Sequence, residues 1–65
     1  GRPSMGIGKN CYIKNAIIDK NVRIGDNVRI VNAESHKDLE EKEFFIKDGI
    51  VVIKKGATIP KGTVI

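Results

Sequence analysis

The chain has 65 residues, of which 40% are hydrophobic, 31% charged and 5% aromatic, with a net charge of +4, one histidine and one cysteine. This length bounds it to one small domain, able to bury only about 60% of its unfolded surface. A lone Cys11 excludes an intramolecular disulfide, no Cys/His cluster suggests zinc, and the longest apolar run, Ile50 to Ile53, is too short to span a bilayer. The charge is unevenly placed. Residues 31–48 carry six acids against three lysines, a balance of −3, while the rest carries nine Lys/Arg against Asp19 and Asp26, a balance of +7. A basic body interrupted by an acidic stretch favours anionic partners.

Gly1-Arg2-Pro3-Ser4 has no initiator Met at position 1 and resembles a linker or cloning remnant, so residues 1–4 are set apart from a domain at 5–65. From Met5 onward Ile7, Ile13, Ile18, Ile24 and Ile30 recur at steps of six, five, six and six, and the pattern resumes at Ile53, Ile59 and Ile65. Four residues after each lead stands a second apolar or small residue, as in Ile7/Cys11, Ile13/Ile17, Ile18/Val22, Ile24/Val28 and Ile53/Ala57. The predicted unit is a short strand with these two side chains inward, which puts Cys11 in the same inward position as Ile17, Val22 and Val28. Between the leads lie turn pairs (Lys9-Asn10, Asn15-Ala16, Lys20-Asn21, Asp26-Asn27, Lys55-Gly56, Lys61-Gly62), and Asn and Gly tolerate positive φ. Strand, corner and fixed period together describe an all-β parallel β-helix of a few coils. Apolar residues at sustained three- and four-residue steps, the signature of a helix, are absent.

The repeat stops at an inserted loop, 32–45, that is polar and acidic until Phe44 and Phe45. A protrusion of this length in a small domain is usually functional or an assembly contact. Leu39 and both phenylalanines are expected to pack back on the coil edge. The strings then repeat: Ile13-Lys14-Asn15-Ala16-Ile17 is matched by Ile46-Lys47-Asp48-Gly49-Ile50, and Ile18-Asp19-Lys20-Asn21-Val22-Arg23-Ile24 by Ile53-Lys54-Lys55-Gly56-Ala57-Thr58-Ile59. If matched strings share a side, Lys20 and Lys55 stack at one corner about 5 Å apart. In the other register they flank one edge. Either way both are candidates for one anion site.

Gly6-Ile7-Gly8-Lys9-Asn10-Cys11, Ala16-Ile17-Ile18-Asp19-Lys20-Asn21, Arg23-Ile24-Gly25-Asp26-Asn27-Val28 and Ile46-Lys47-Asp48-Gly49-Ile50-Val51 resemble the carboxy-terminal domain of the ADP-glucose pyrophosphorylase (glucose-1-phosphate adenylyltransferase) family, most closely its plant small subunits. The resemblance implies a left-handed coil, against the usual right-handed crossover rule. It also implies a parent enzyme that converts ATP and glucose 1-phosphate to ADP-glucose and pyrophosphate in starch or glycogen synthesis. Catalysis and its magnesium would lie in an amino-terminal domain absent from this chain, so these residues hold no cofactor or metal and are expected to be inactive alone. The implied partners are that catalytic domain, the other subunits of a tetramer, and 3-phosphoglycerate or phosphate as effector, with no nucleic acid and no membrane. The implied location is a plastid for a plant protein and the cytoplasm for a bacterial one. The family's two effector-binding lysines carry over to Lys20 and Lys55, with Lys54 a neighbour open to confusion with the second.

Most surface lysines are simply solvated, and Lys9, Lys14, Lys47 and Arg29 are expected to be so. Arg23 is either half of a corner ion pair or a contact to the missing domain. His36 raises the alternative of a hexapeptide-repeat acyltransferase, whose general base is a histidine, but here it stands in an acidic loop with no nucleophile specified. Nucleic-acid binders interleave aromatics with basic residues, and Tyr12, Phe44 and Phe45 are the only aromatics.

Overall fold

The computed structural model describes residues 4–65. Of the expected linker at 1–4, residues 1–3 lie outside the described residues. The described chain contains nine short strands and no helix: β1 (Gly6–Ile7), β2 (Tyr12–Ile13), β3 (Ala16–Ile18), β4 (Arg23–Ile24), β5 (Arg29–Ile30), β6 (Leu39–Glu40), β7 (Phe44–Lys47), β8 (Ile50–Ile53) and β9 (Thr58–Ile59).

Strands do not pair with their sequence neighbours until the insertion. Instead β1 pairs in parallel with β4 and β4 with β9, β2 pairs with β5, and β3 pairs with β8, so the chain winds through three faces and returns to the first. Gly6 stands against Arg23 and Tyr12 against Arg29, a turn of 17 residues. Ala16 stands against Val51 and Arg23 against Thr58, an offset of 35, because the second turn carries the insertion. Ladder bonds tie the turns together, for example Tyr12 N–H to the Val28 carbonyl (2.9 Å) and Arg29 N–H to that of Thr63 (2.9 Å).

The corners are set by local backbone chemistry. Asn10, Asn27 and Gly62 stack at the first corner with φ of 58°, 59° and 75°; Asn15 and Asn32 at the second with 52° and 53°; Asn21 and Gly56 at the third with 58° and 73°. Left-handed backbone costs an ordinary L-residue roughly 1–2 kcal/mol, and Asn and Gly escape most of that. Asn27→Ala should therefore lower stability by about 1 kcal/mol while Asn27→Gly stays near neutral. The urea-unfolding midpoints of the two variants, compared with the parent, measure this.

The core is Val22, Ile24, Val28, Ile30, Ile46, Val51, Ile53, Ala57 and Ile59, all buried. The inward pairing differs from the one expected. On each face the inward residues are a small side chain and the isoleucine two positions later, as in Val22/Ile24, Val28/Ile30 and Val51/Ile53, as period-2 strand alternation requires. The four-residue spacing read from the sequence instead crosses a corner. Ile17 is accordingly not inward: it is 57% exposed, and Ala16 and Ile18 pack on the core in its place. Cys11 is equivalent to Val28, half-buried, with its thiol 3.2 Å from the Gly25 carbonyl.

The acidic segment does more than protrude. β6 and β7 form an antiparallel hairpin, and β7 pairs antiparallel with β8, extending the third face to the order β3-β8-β7-β6. The matched string 46–50 is therefore not a coil corner: Lys47 pairs with Ile50 across a two-residue Asp48-Gly49 turn, both at positive φ (51° and 80°), the combination typical of a tight hairpin. Leu39 and Phe44 pack on the core as expected, but Phe45 pairs with Val52, which pairs with Ile17, and this row faces away from it.

Candidate functional site

The third corner is built by residues 19–21 in the first turn and 54–56 in the second. Ile18 pairs with Ile53 and Arg23 with Thr58, which aligns Lys20 with Lys55 and Asp19 with Lys54. The Gly56 N–H donates to the Lys20 carbonyl (2.9 Å), closing the two corners on each other. Of the two registers open from the sequence, the ladders select the one that stacks Lys20 on Lys55. Both side chains are exposed, and neither ammonium has a carboxylate partner among the described residues. The neighbouring Asp19 carboxylate accepts from the Lys20 backbone N–H (2.7 Å).

Lys54 behaves differently. Its ammonium bonds the Glu40 carboxylate (2.5 Å) and the Glu41 carbonyl (2.6 Å), and its backbone N–H donates to the Glu43 carbonyl (3.0 Å). Glu43 in turn accepts from the Thr58 N–H through its carboxylate (3.0 Å). The insertion thus delivers its 40–43 turn to the lysine corner and occupies Lys54, leaving Lys55 for solvent. Sequence reasoning missed Glu40 and Glu43 at this corner. Their acidity was visible, but their reach depends on an antiparallel pairing that the parallel repeat gave no reason to expect.

Elsewhere the candidates disperse. Arg23 is half-buried on the outer row of the first face, between Gly6 and Thr58 in register. His36 holds the start of the insertion through its backbone: its N–H donates to Asn32 Oδ1 (2.9 Å) and its carbonyl accepts from Asn32 Nδ2 (2.6 Å). Its ring lies 4.0 Å from the Glu34 carboxylate. An open cleft of about 470 Å³ lies at the second corner, lined by Asn15, Asn32, His36 and Asp48 among others, one face away from the lysines. Among the described residues no group of three or more His, Cys, Asp and Glu could hold a metal, and no helix is long and apolar enough to cross a membrane.

Residues 1–64 match the family model of the GLGC left-handed parallel β-helix domain. The chain belongs to this family. The hand in the family's description is the one the resemblance implied, and the parallel ladders above agree with a parallel β-helix. The chain is 56% identical over 63 residues to a glucose-1-phosphate adenylyltransferase small subunit of Zea mays, covering 94% of this chain and 50% of that protein. It is likewise 56% identical over 63 residues to a glucose-1-phosphate adenylyltransferase small subunit of Triticum aestivum, named chloroplastic/amyloplastic, covering 94% of this chain and 13% of that protein. The chain therefore spans half the length of the first relative and far less of the second. In this GLGC domain His36 has a structural bracket for its backbone rather than a nucleophile beside its ring, and no observation favours an acyltransferase.

Proposed function

We propose that this GLGC domain is the carboxy-terminal regulatory and assembly domain of a glucose-1-phosphate adenylyltransferase, and that Lys20 and Lys55 contribute to a site for a phosphate-bearing effector such as 3-phosphoglycerate or inorganic phosphate. The observation that carries the site is the stacking of two unpaired lysines on adjacent turns, in a chain of this family. Like charges held on neighbouring strands repel. A dianion between them turns that repulsion into two charge-assisted contacts.

In this proposal adenylyl transfer from ATP to glucose 1-phosphate, and the magnesium it needs, belong to an amino-terminal catalytic domain outside these residues. That domain and the other subunits of a tetramer are the partners, and the domain alone has no activity. The plastid name of the wheat relative supports a plastid location for a plant parent.

The test is made in the full-length subunit. Hydrogen bonds to charged groups are worth about 1.5–3 kcal/mol, so Lys20→Ala and Lys55→Ala should each raise the half-activating concentration of 3-phosphoglycerate roughly tenfold or more. Turnover without activator should stay within about twofold, since the adenylyl transfer is assigned elsewhere. An unchanged activator response in both variants removes the assignment.

A further inference from the structure

The corner that holds Lys20 and Lys55 contains a third cation that the insertion has taken up. Lys54 is adjacent in sequence to Lys55, and successive Cα atoms are only about 3.8 Å apart, so its long side chain can reach the space beside the stacked pair. At present its ammonium is bound by the Glu40 carboxylate and the Glu41 carbonyl. The bond is open to exchange: the Lys54 and Glu40 side chains are 35% and 74% exposed, and exposed ion pairs are worth only about 0.2–1 kcal/mol.

We propose that Lys54 is a third contact for the anion at this corner, held in reserve by Glu40, which acts as a built-in competitor for it. The inference rests on the anion-binding reading of Lys20 and Lys55 and adds how affinity there is set. A phosphate dianion brings more negative charge to Lys54 than one carboxylate does, and it already has Lys20 and Lys55 as partners. Glu40, once displaced, returns to water that it largely contacts already.

The insertion need not detach for this exchange. The Glu43 carboxylate keeps the Thr58 N–H, the Glu43 carbonyl keeps the Lys54 N–H, and the ladder between β7 and β8 continues below them. The Glu40 side chain swings away and the Lys54 ammonium leaves the exposed Glu41 carbonyl to water, so side chains alone rearrange. The charge pattern of the chain gains a reason in this arrangement: the acidic turn 40–43 lies against the corner where Lys20 and Lys55 stack, neither ammonium paired with a carboxylate among the described residues.

The experiment is calorimetric titration of the full-length subunit with inorganic phosphate, comparing the parent with Glu40→Gln, Glu40→Gln combined with Lys54→Ala, and Lys20→Ala combined with Lys55→Ala. Removing the competing carboxylate should tighten phosphate binding by up to about fivefold, the upper end of what a weak surface pair is worth. The gain should vanish when Lys54 is also replaced. A dissociation constant unchanged by Glu40→Gln, or a gain that persists without Lys54, overturns the proposal even if the Lys20/Lys55 double variant binds phosphate poorly. Undiminished binding in that double variant overturns the anion site itself, and this inference with it. Thermal unfolding of each variant at the parent temperature assigns the changes to binding rather than to loss of fold.

Discussion

Ile53→Ala is expected to lower the stability of the domain by about 2–5 kcal/mol, the cost of truncating a buried isoleucine. Ile53 has no exposed surface. It is covered from both sides of its face, by Ile18 in the turn before and by Phe44 in the antiparallel strand beyond. The cavity left by truncation is lined by ladder-bonded strands on either side, so it has little freedom to collapse. In a chain of 65 residues, where folded proteins hold only about 5–15 kcal/mol in total and short ones less, the loss threatens folding outright. Ile17→Ala, one position from Ile18 and 57% exposed, should change stability by no more than about 0.5 kcal/mol. Urea unfolding of the two variants side by side tests which isoleucines of the third face point inward, and equal losses would contradict the alternation described above.

Gly25→Ala should cost about 1–3 kcal/mol through crowding, although the added group is only a methyl. Gly25 is buried, and a Cβ there would stand 2.5 Å from the Lys61 backbone nitrogen and 2.8 Å from its Cα. The corner cannot yield easily, because the Gly25 N–H is bonded to the Ile59 carbonyl (2.8 Å) and the Gly62 N–H to the Asp26 carbonyl (2.9 Å). Gly8, its equivalent in the first turn, meets the same obstacle from the Gly25 backbone and the Asp26 side chain. Pro60 occupies the third-turn position, where β9 is the edge of its sheet, so a side chain is tolerated there. Close approach of one backbone to the next, rather than a left-handed φ, is what requires glycine at position 25. A Gly25→Ala variant with the parent unfolding midpoint would show that the corner relaxes.

The insertion shows where local patterns lose their authority. Ile46-Lys47-Asp48-Gly49-Ile50 and Ile13-Lys14-Asn15-Ala16-Ile17 read alike, yet one is a hairpin turn and the other a coil corner. Both need positive φ followed by a strand, and the chain supplies Asp-Gly for the first and Asn-Ala for the second. What separates them is whether the returning strand finds its partner beside it or a full turn away. Asp48-Gly49 takes positive φ at both positions and closes a hairpin. At Asn15-Ala16 only Asn15 does, and the strand runs on to a partner a full turn away.

The sequence by itself determined the parallel coil, its corners and the likeness to the GLGC family, because isoleucine periodicity and the φ tolerance of Asn and Gly are properties of short stretches. It also singled out Lys20 and Lys55. The tertiary structure decided which side chains of the third face are inward, since the second corner is one residue shorter and a one-residue slip in a strand exchanges its faces. It decided too that Lys54 is bound and Lys55 open, because that difference is made by Glu40, fourteen residues away along the chain and brought to the corner by antiparallel pairing. Contacts between distant segments are fixed by the packing of the whole, and a repeat that specifies each turn says nothing about what an interruption will fold back upon.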